Sequence, residues 1–382
     1  MKFIKLKKLG TYIVLPLFLL ATGGVGGTVF MVDFTKDAYQ NSNWYNEEDG
    51  GINETKYISL GGFDQFVRIR GRDLNNPVLL DLHGGPGSTL TGISHRFFRP
   101  MTEYFTLVEW DQRGAGKSAG NPAELYPTMT YDQMVNDTIE LIEYIKTRLG
   151  VEKVVILGHS WGTMLGLGVI KKRPDLIHAY VGSGQGMAWR PTVNESQRLL
   201  TEAYIKLGDE EAIAALKAIP EQWPPVEDWQ ASWDRVISVQ RHLGKLKKGL
   251  LHAVHNGQAM GNDFFLDNLY SPDTSLMETF AQFRGKDING ATSALRARLQ
   301  HWSLLDNPDY YNYDVPMFIF QGEHDWQTPT TLVKTWFAKV AAPHKEYVAF
   351  EHSAHAIITE EPGKYLYTLV SRVRPFALKE TK

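Results

Sequence analysis

The chain has 382 residues, 43% of them hydrophobic and 22% charged, an ordinary globular composition with room for one large domain and an insertion, or for two domains. Its 40 basic and 43 acidic residues leave a formal charge of −3, and no basic stripe runs through the body, which argues against a nucleic-acid partner. There is no cysteine, so thiol catalysis, zinc–thiolate sites, disulfides and a lipid-modified cysteine anchor are excluded.

The chain opens with Lys2, Lys5, Lys7 and Lys8, followed by an uncharged run of 22 residues from Thr11 to Val32. At about 1.5 Å per residue such a run spans a bilayer. With the basic end held in the cytoplasm, the rest of the chain lies outside it. Residues 1–32 are therefore expected to be a membrane anchor with the body periplasmic or at the cell surface. The alternative is a signal peptide with its apolar stretch at Tyr12–Ala21, cleaved to release a secreted protein, although no clear A-x-A site follows. Residues 33–55 are polar and turn-rich and read as a linker.

Beyond them, "KYISLGGFDQFVRIRG" alternates around Gly61-Gly62 and predicts a β-hairpin. "PVLLDLH" and "FTLVEWD" are short apolar runs ending in turn residues. "MTYDQMVNDTIELIEYIKTRLG" has helical spacing at Met134, Ile139, Leu141, Ile142, Ile145 and Leu149, closing on Gly150. "KVVILGHS" predicts a strand, "TMLGLGVIKKRPD" a helix and "HAYVGSGQG" another strand. This alternation predicts an α/β fold with a mostly parallel sheet covered on both faces. From Met187 the strand signal stops, and the segment to about Asp309 is helical in character and rich in tryptophan. At "VPMFIFQGEHD" the strands return, followed by helix "TLVKTWFAKV", strand "KEYVAF" and a closing helix "GKYLYTLVSRVRPFA". The core is thus expected over 56–186 and 309–382. Residues 187–308 form a helical lid inserted between two late strands, over the strand ends where open α/β sheets place ligands.

The chemistry-bearing motifs sit at strand ends. Gly158-His159-Ser160-Trp161-Gly162 is a G-x-S-x-G pentapeptide after a strand and before a helix, the context in which a strained turn exposes a serine nucleophile. Its partners should follow in the order acid, then histidine. Asp325, in "GEHDWQTP" beyond a late strand, is the expected acid, with Glu323 its rival. His355, in "FEHSAHAIITEEPGKY", is the expected base, and His352 is read as a loop histidine. Acyl transfer also needs two fixed N–H donors for an oxyanion. Trp161, after the nucleophile, supplies one. The turn His83-Gly84-Gly85-Pro86-Gly87 supplies the other, assigned to Gly85. The Gly-rich loop "WDQRGAGKS" is not a phosphate cradle, because Asp111 stands where the Walker spacing needs glycine. It is read as a buttress with Asp111 and Arg113 in structural ion pairs. The histidines at 242, 252, 255 and 301 do not make a metal set, and neither metal nor cofactor is expected.

HGGPG, DQRGxGxS, the serine elbow and a late GxxD…H pair, in this order, resemble the prolyl aminopeptidase (proline iminopeptidase) family of α/β-hydrolases. The likeness covers about residues 56–186 and 309–376. It implies the α/β-hydrolase fold, Ser160 as nucleophile, His355 as base, Asp325 as orienter, and release of an N-terminal residue, often proline, from short peptides. The family holds the substrate's free amine with lid glutamates, for which Glu195 and Glu202 are the candidates. One departure stands in the elbow, which ends in Gly162-Thr163 rather than Gly-Gly or Gly-Ser. A carboxylesterase, lactonase or amidase with the same machinery but no amine recognition is the competing expectation.

Overall fold

The computed structural model describes residues 50–225, 228–246, 268, 271–275, 291–300 and 302–378. The expected anchor at 1–32 and most of the linker lie outside them. Among the described residues no helix is long and apolar enough to cross a membrane.

The hairpin comes first. Strands β1 (Ile52–Leu60) and β2 (Phe63–Gly71) pair antiparallel. They are joined by Gly61 and Gly62 at φ +53° and +80°, the positive angles that a two-residue hairpin turn of matching twist requires. β1 begins inside the stretch expected to be linker: Asn53, Glu54 and Thr55 pair with Arg70, Ile69 and Arg68. Polar residues hide this strand in the sequence because it lies at the sheet edge, where one face stays wet.

Strands β3 (Val78–Leu82), β4 (Thr106–Trp110), β5 (Val154–His159), β6 (Ile177–Ser183), β7 (Met317–Gly322) and β8 (Lys345–Phe350) complete an eight-stranded sheet ordered β1-β2-β4-β3-β5-β6-β7-β8. β2 runs antiparallel to β4, and from β4 to β8 every pairing is parallel. Alternate strand residues enter different cores. Leu80, Leu82, Ile156 and Ile319 pack on one face with Leu141, Ile145, Leu165 and Trp336, while Leu79, Val155, Leu157 and Phe318 pack on the other with Phe98, Phe105, Tyr365 and Leu369. Burial on both sides is why these strands read as continuous apolar runs.

The first long helix, α1 (Tyr131–Leu149), starts at Thr130, whose side chain accepts from the Gln133 N–H, and ends at Gly150 with φ 69°. Both are standard helix-end devices. Helix α2 (Trp161–Lys172) follows β5 directly. Between β6 and β7 stand α3 (Trp189–Leu207), α4 (Glu210–Lys217), α5 (Trp229–Leu246) and α6 (Thr292–Leu299), and no strand occurs among the described residues there. α3 to α5 share an apolar cluster of their own that includes Val193, Leu200, Leu216, Val236 and Val239. Helix α7 (Thr330–Lys339) lies between β7 and β8. The closing segment is not one regular helix: Pro362–Thr368 and Arg374–Leu378 flank a π-helical turn at Leu369–Val373. Pro375 lacks the N–H that a regular helix would use there.

Candidate active site

β3 separates β4 from β5, so the chain leaves this strand in opposite directions along the sheet, the kind of switch point at which α/β folds open a crevice. The residues singled out in the sequence gather at this end. Ser160 joins β5 to α2 at φ 53° and ψ −116° and is the one non-glycine with positive φ among the described residues. Such a conformation costs about 1–3 kcal/mol and persists only where its surroundings impose it. The surroundings are close backbone: a Cβ on Gly162 would lie 1.8 Å from the Leu82 carbonyl oxygen, and one on Gly158 would lie 2.5 Å from that of Gly162. The glycines thus let the elbow press against β3, which leads into the HGGPG turn.

Asp325 and His355 meet in the loops after β7 and β8. His355 Nδ1 lies 2.8 Å from Asp325 Oδ2. The Thr328 hydroxyl also donates to Oδ2 at 2.6 Å, and Gln321 Nε2 does so at 3.1 Å. Oδ1 accepts from the Gln327 and Thr328 N–H groups at 2.9 and 2.8 Å. Asp325 is fully buried. Burial pushes its carboxyl up, but the His355 charge and the hydrogen bonds from His355 and Thr328 outweigh it and hold the pKa below the ordinary value. The rival Glu323 instead pairs with Lys334 at 2.6 Å and accepts from the Tyr347 hydroxyl at 3.2 Å. His352 is exposed. His355 Nε2 is buried and carries no hydrogen bond, so its contact with Ser160 is open in this structure. In unliganded sites such contacts are often long and tighten when substrate binds.

The HGGPG turn is built around His83. Its Nε2 accepts from the Gln112 N–H at 3.1 Å, which leaves the proton on Nδ1 to donate to the Gly84 carbonyl at 2.9 Å. Burial lowers its pKa to about 4, so the ring is neutral. The Gln112 side chain donates to the His83 carbonyl at 3.0 Å and accepts from the Trp161 indole at 2.9 Å. One amide therefore ties together the HGGPG turn, the DQRG loop and the elbow. Gly85, at φ +111°, lines the same cavity as Ser160 and Trp161. Trp161 is the first residue of α2, where an N–H has no intrahelical acceptor. His159 is half-buried, with its ring 5.0 Å from that of His355. Burial first, then the His355 charge, lowers its pKa to about 3.

In the DQRG loop, Arg113 makes a fully buried bidentate pair with Asp137, its Nε at 2.6 Å and Nη2 at 2.9 Å. It also donates to the Leu60 and Gly61 carbonyls. Asp111 departs from the expected ion pair: its oxygens accept from the Thr91 hydroxyl at 2.6 Å and the Lys117 N–H at 2.9 Å. Burial raises its pKa, against the pull of these two hydrogen bonds and of the Arg68 and Lys117 charges.

The cavity beside Ser160 has a volume of about 90 Å³. The insertion supplies much of its apolar wall through Trp189, Val193, Val236, Val239 and Leu243, and Met164 of α2 lines it too. Glu195 and Glu202 are not among the lining residues. Both pair with Arg198, at 2.7 and 2.5 Å, and Glu195 also accepts from the Thr331 hydroxyl at 2.7 Å. Sequence reasoning missed Thr328, Gln112 and Gln321. Polar residues in loops and strands are common, and only the position of Gln112 inside the DQRG motif offered a signal.

A model of the alpha/beta hydrolase fold matches residues 77–362. A Bacillus subtilis (strain 168) protein named probable aminopeptidase YbaC is 28% identical over 326 residues, covering 84% of this chain and 96% of its own. The proline iminopeptidase of Clostridioides difficile (strain 630) is 24% identical over 326 residues, covering 82% and 95%. The crystal structure of the Mycobacterium smegmatis proline iminopeptidase superposes with a TM-score of 0.58 at 19% identity, covering 85% of this chain and 99% of that one, a likeness of fold.

Proposed function

The chain belongs to the alpha/beta hydrolase fold family, and on that premise we propose that it is a serine hydrolase that releases proline or another small apolar residue from the N-terminus of short peptides. One observation carries the reading: Ser160 on a strained elbow, the buried His355–Asp325 pair, and Gly85 and Trp161 all belong to one end of the sheet, with Ser160, Gly85 and Trp161 facing a single cavity. The names of the aminopeptidase relatives support the peptide-cleaving part.

In the proposed mechanism the Ser160 hydroxyl attacks the scissile carbonyl carbon while His355 Nε2 takes its proton. Asp325 holds the ring by Nδ1 and stabilises the imidazolium. The carbonyl oxygen becomes an oxyanion and accepts from the Gly85 and Trp161 N–H groups; one such donor is worth about 10²–10³ in rate. His355 then returns its proton to the leaving amine, the C–N bond breaks and an ester to Ser160 remains. Water, deprotonated by the same ring, attacks this ester and frees the acid and the serine. The apolar wall of the cavity suits a proline ring or a similar small side chain. With the basic, apolar N-terminal segment as anchor, the enzyme would act outside the cytoplasm.

A second reading, an ester, lactone or amide hydrolase without amine recognition, is favoured by the Arg198 pairing of Glu195 and Glu202 away from the cavity. Proline β-naphthylamide, its N-acetylated form and p-nitrophenyl acetate separate the two, with Ser160→Ala as control. Cleavage of the free-amine amide alone supports the aminopeptidase. Ester cleavage without amide cleavage supports the second reading. Undiminished activity in Ser160→Ala refutes both.

A further inference from the structure

Ser160 and Asp325 follow β5 and β7, which are not neighbours in the sheet: β6 lies between them. No direct strand pairing sets the distance between nucleophile and acid. A chain of buried side-chain hydrogen bonds crosses the end of β6 instead. It starts at Thr163, the residue that departs from the Gly-Gly or Gly-Ser ending of the resembled elbow. The Thr163 hydroxyl donates to the Ser160 carbonyl at 2.5 Å. It accepts from the Gly186 N–H at 2.8 Å and from Gln185 Nε2 at 3.0 Å. One proton and two lone pairs are all used, the full capacity of a hydroxyl.

Gln185 continues the chain. Its other amide proton goes to the Gly186 carbonyl at 2.7 Å, and its Oε1 accepts from the Tyr180 hydroxyl at 2.8 Å. Its backbone N–H donates to Gln321 Oε1 at 3.0 Å. Gln321 Nε2 then donates to Asp325 Oδ2 at 3.1 Å and to the Thr328 carbonyl at 2.9 Å. Thr163, Gln185, Gln321 and Asp325 are each 0% exposed. A satisfied buried network has one low-energy arrangement and resists deformation, because any shift leaves a polar group unpaired.

We propose that Thr163, Gln185 and Gln321 are positioning residues: a buried strut that fixes the Ser160 backbone against the Asp325 carboxylate. The inference rests on the proposed roles of Ser160 and Asp325. In the resembled elbow a glycine at position 163 would offer no hydroxyl to Gly186 and Gln185. The threonine supplies that hydroxyl, as the serine of a Gly-Ser ending also could.

The test uses the full-length protein and p-nitrophenyl acetate. Thr163→Val removes the hydroxyl at nearly constant volume. Its kcat is expected to fall at least tenfold, about 1.4 kcal/mol of activation free energy, with KM moving less than twofold. Thr163→Ser, which restores the hydroxyl, is expected to recover kcat to within about threefold of wild type. Gln185→Leu keeps the backbone link to Gln321 but cuts the link to Thr163, and it replaces Thr163→Val should that variant not fold; the same loss in kcat is expected. Wild-type kcat in the folded variant overturns the strut, and so does an equal loss in Thr163→Ser. Failure of both Thr163→Val and Gln185→Leu to fold counts against it too, assigning these residues to stability alone. Ser160→Ala is run beside them: activity there sinks the serine mechanism, whereas an inactive Ser160→Ala with an unimpaired Thr163→Val sinks only the strut.

Discussion

Asp325→Asn is the sharpest perturbation of the site. The carboxylate is fully buried and takes five hydrogen bonds, two from backbone N–H groups on Oδ1 and three from Gln321, Thr328 and His355 on Oδ2. An asparagine amide of the same shape must turn its NH₂ toward one of these sets. The backbone N–H groups of Gln327 and Thr328 cannot become acceptors, so the amide oxygen takes the Oδ1 position and the NH₂ faces His355. His355 can then meet it only with an unprotonated Nδ1. The ring proton moves to Nε2, and the nitrogen facing the reaction can no longer take a proton from Ser160. The expected fall in kcat is about 10³–10⁴, the size of effect seen when a triad histidine is held in the wrong tautomer, with KM changed only a few-fold. Gln321 Nε2 loses one of its two acceptors as well, costing about 1–3 kcal/mol of stability. The assay is p-nitrophenyl ester hydrolysis with urea unfolding on the same preparation. A folded Asp325→Asn protein keeping more than a tenth of wild-type kcat refutes the orienting role.

Two predictions concern the scaffold. Asp137→Asn leaves the Arg113 guanidinium buried beside an uncharged amide, and removing one member of such a pair costs about 3–5 kcal/mol; the urea midpoint should drop accordingly, and a shift below about 1 kcal/mol would show that the pair does not hold the hairpin turn to α1. Acid stability follows from His83 and His159, whose folded pKa values are lowered to about 4 and about 3 by burial. The unfolded chain binds their protons near pH 6.5 and the folded chain does not, so stability is fully present above that pH and falls as pH drops through the window from about 6.5 to 4. The slope for the two rings together is about 2.7 kcal/mol per pH unit. Urea midpoints that stay flat between pH 7 and 4.5 would contradict the neutral folded state of both.

The α/β alternation was legible because strands buried on both faces must be largely apolar, as Val78–Leu82 and Val154–His159 are, and because α1 carries its own stop and start residues. The start of β1 was not, since Asn53, Glu54 and Thr55 satisfy an edge strand while looking like linker. The serine elbow was legible for a related reason. A positive-φ serine pressed against β3 demands glycine at 158 and 162, and such a demand leaves a mark in sequence. Thr328, Gln321 and Gln185 leave none: each acts through hydrogen bonds across a loop or strand end, and a lone Thr or Gln has no period or spacing to betray it. Asp111 shows the converse error. Its motif position suggested an ion pair, yet local N–H and O–H donors meet it.

In the proposed mechanism, bond breaking and substrate choice fall to different parts of the chain. Ser160, Asp325, His355 and Gly85 stand on loops of the sheet, while α3 and α5 of the insertion wall the cavity. α3 is itself moored to the acid loop: Ser196 Oγ reaches the Trp326 carbonyl at 2.6 Å, and Thr331 donates to Glu195. Glu195 therefore already has work. To bind a substrate amine it would have to release the two Arg198 hydrogen bonds, at 2.8 and 2.7 Å, and the one from Thr331. Hydrogen bonds to charged groups are worth about 1.5–3 kcal/mol apiece; partial exposure of Glu195 and Arg198 reduces that figure here. An ammonium entering the cavity would have to match what remains and undo a mooring of the wall it leans on. That competition is the physical basis for giving the amine-independent hydrolase a hearing beside the aminopeptidase. It also makes Glu195→Gln informative: loss of amide cleavage with ester cleavage intact would mean that the carboxylate turns inward for substrate, whereas equal changes in both would mean that it only moors α3.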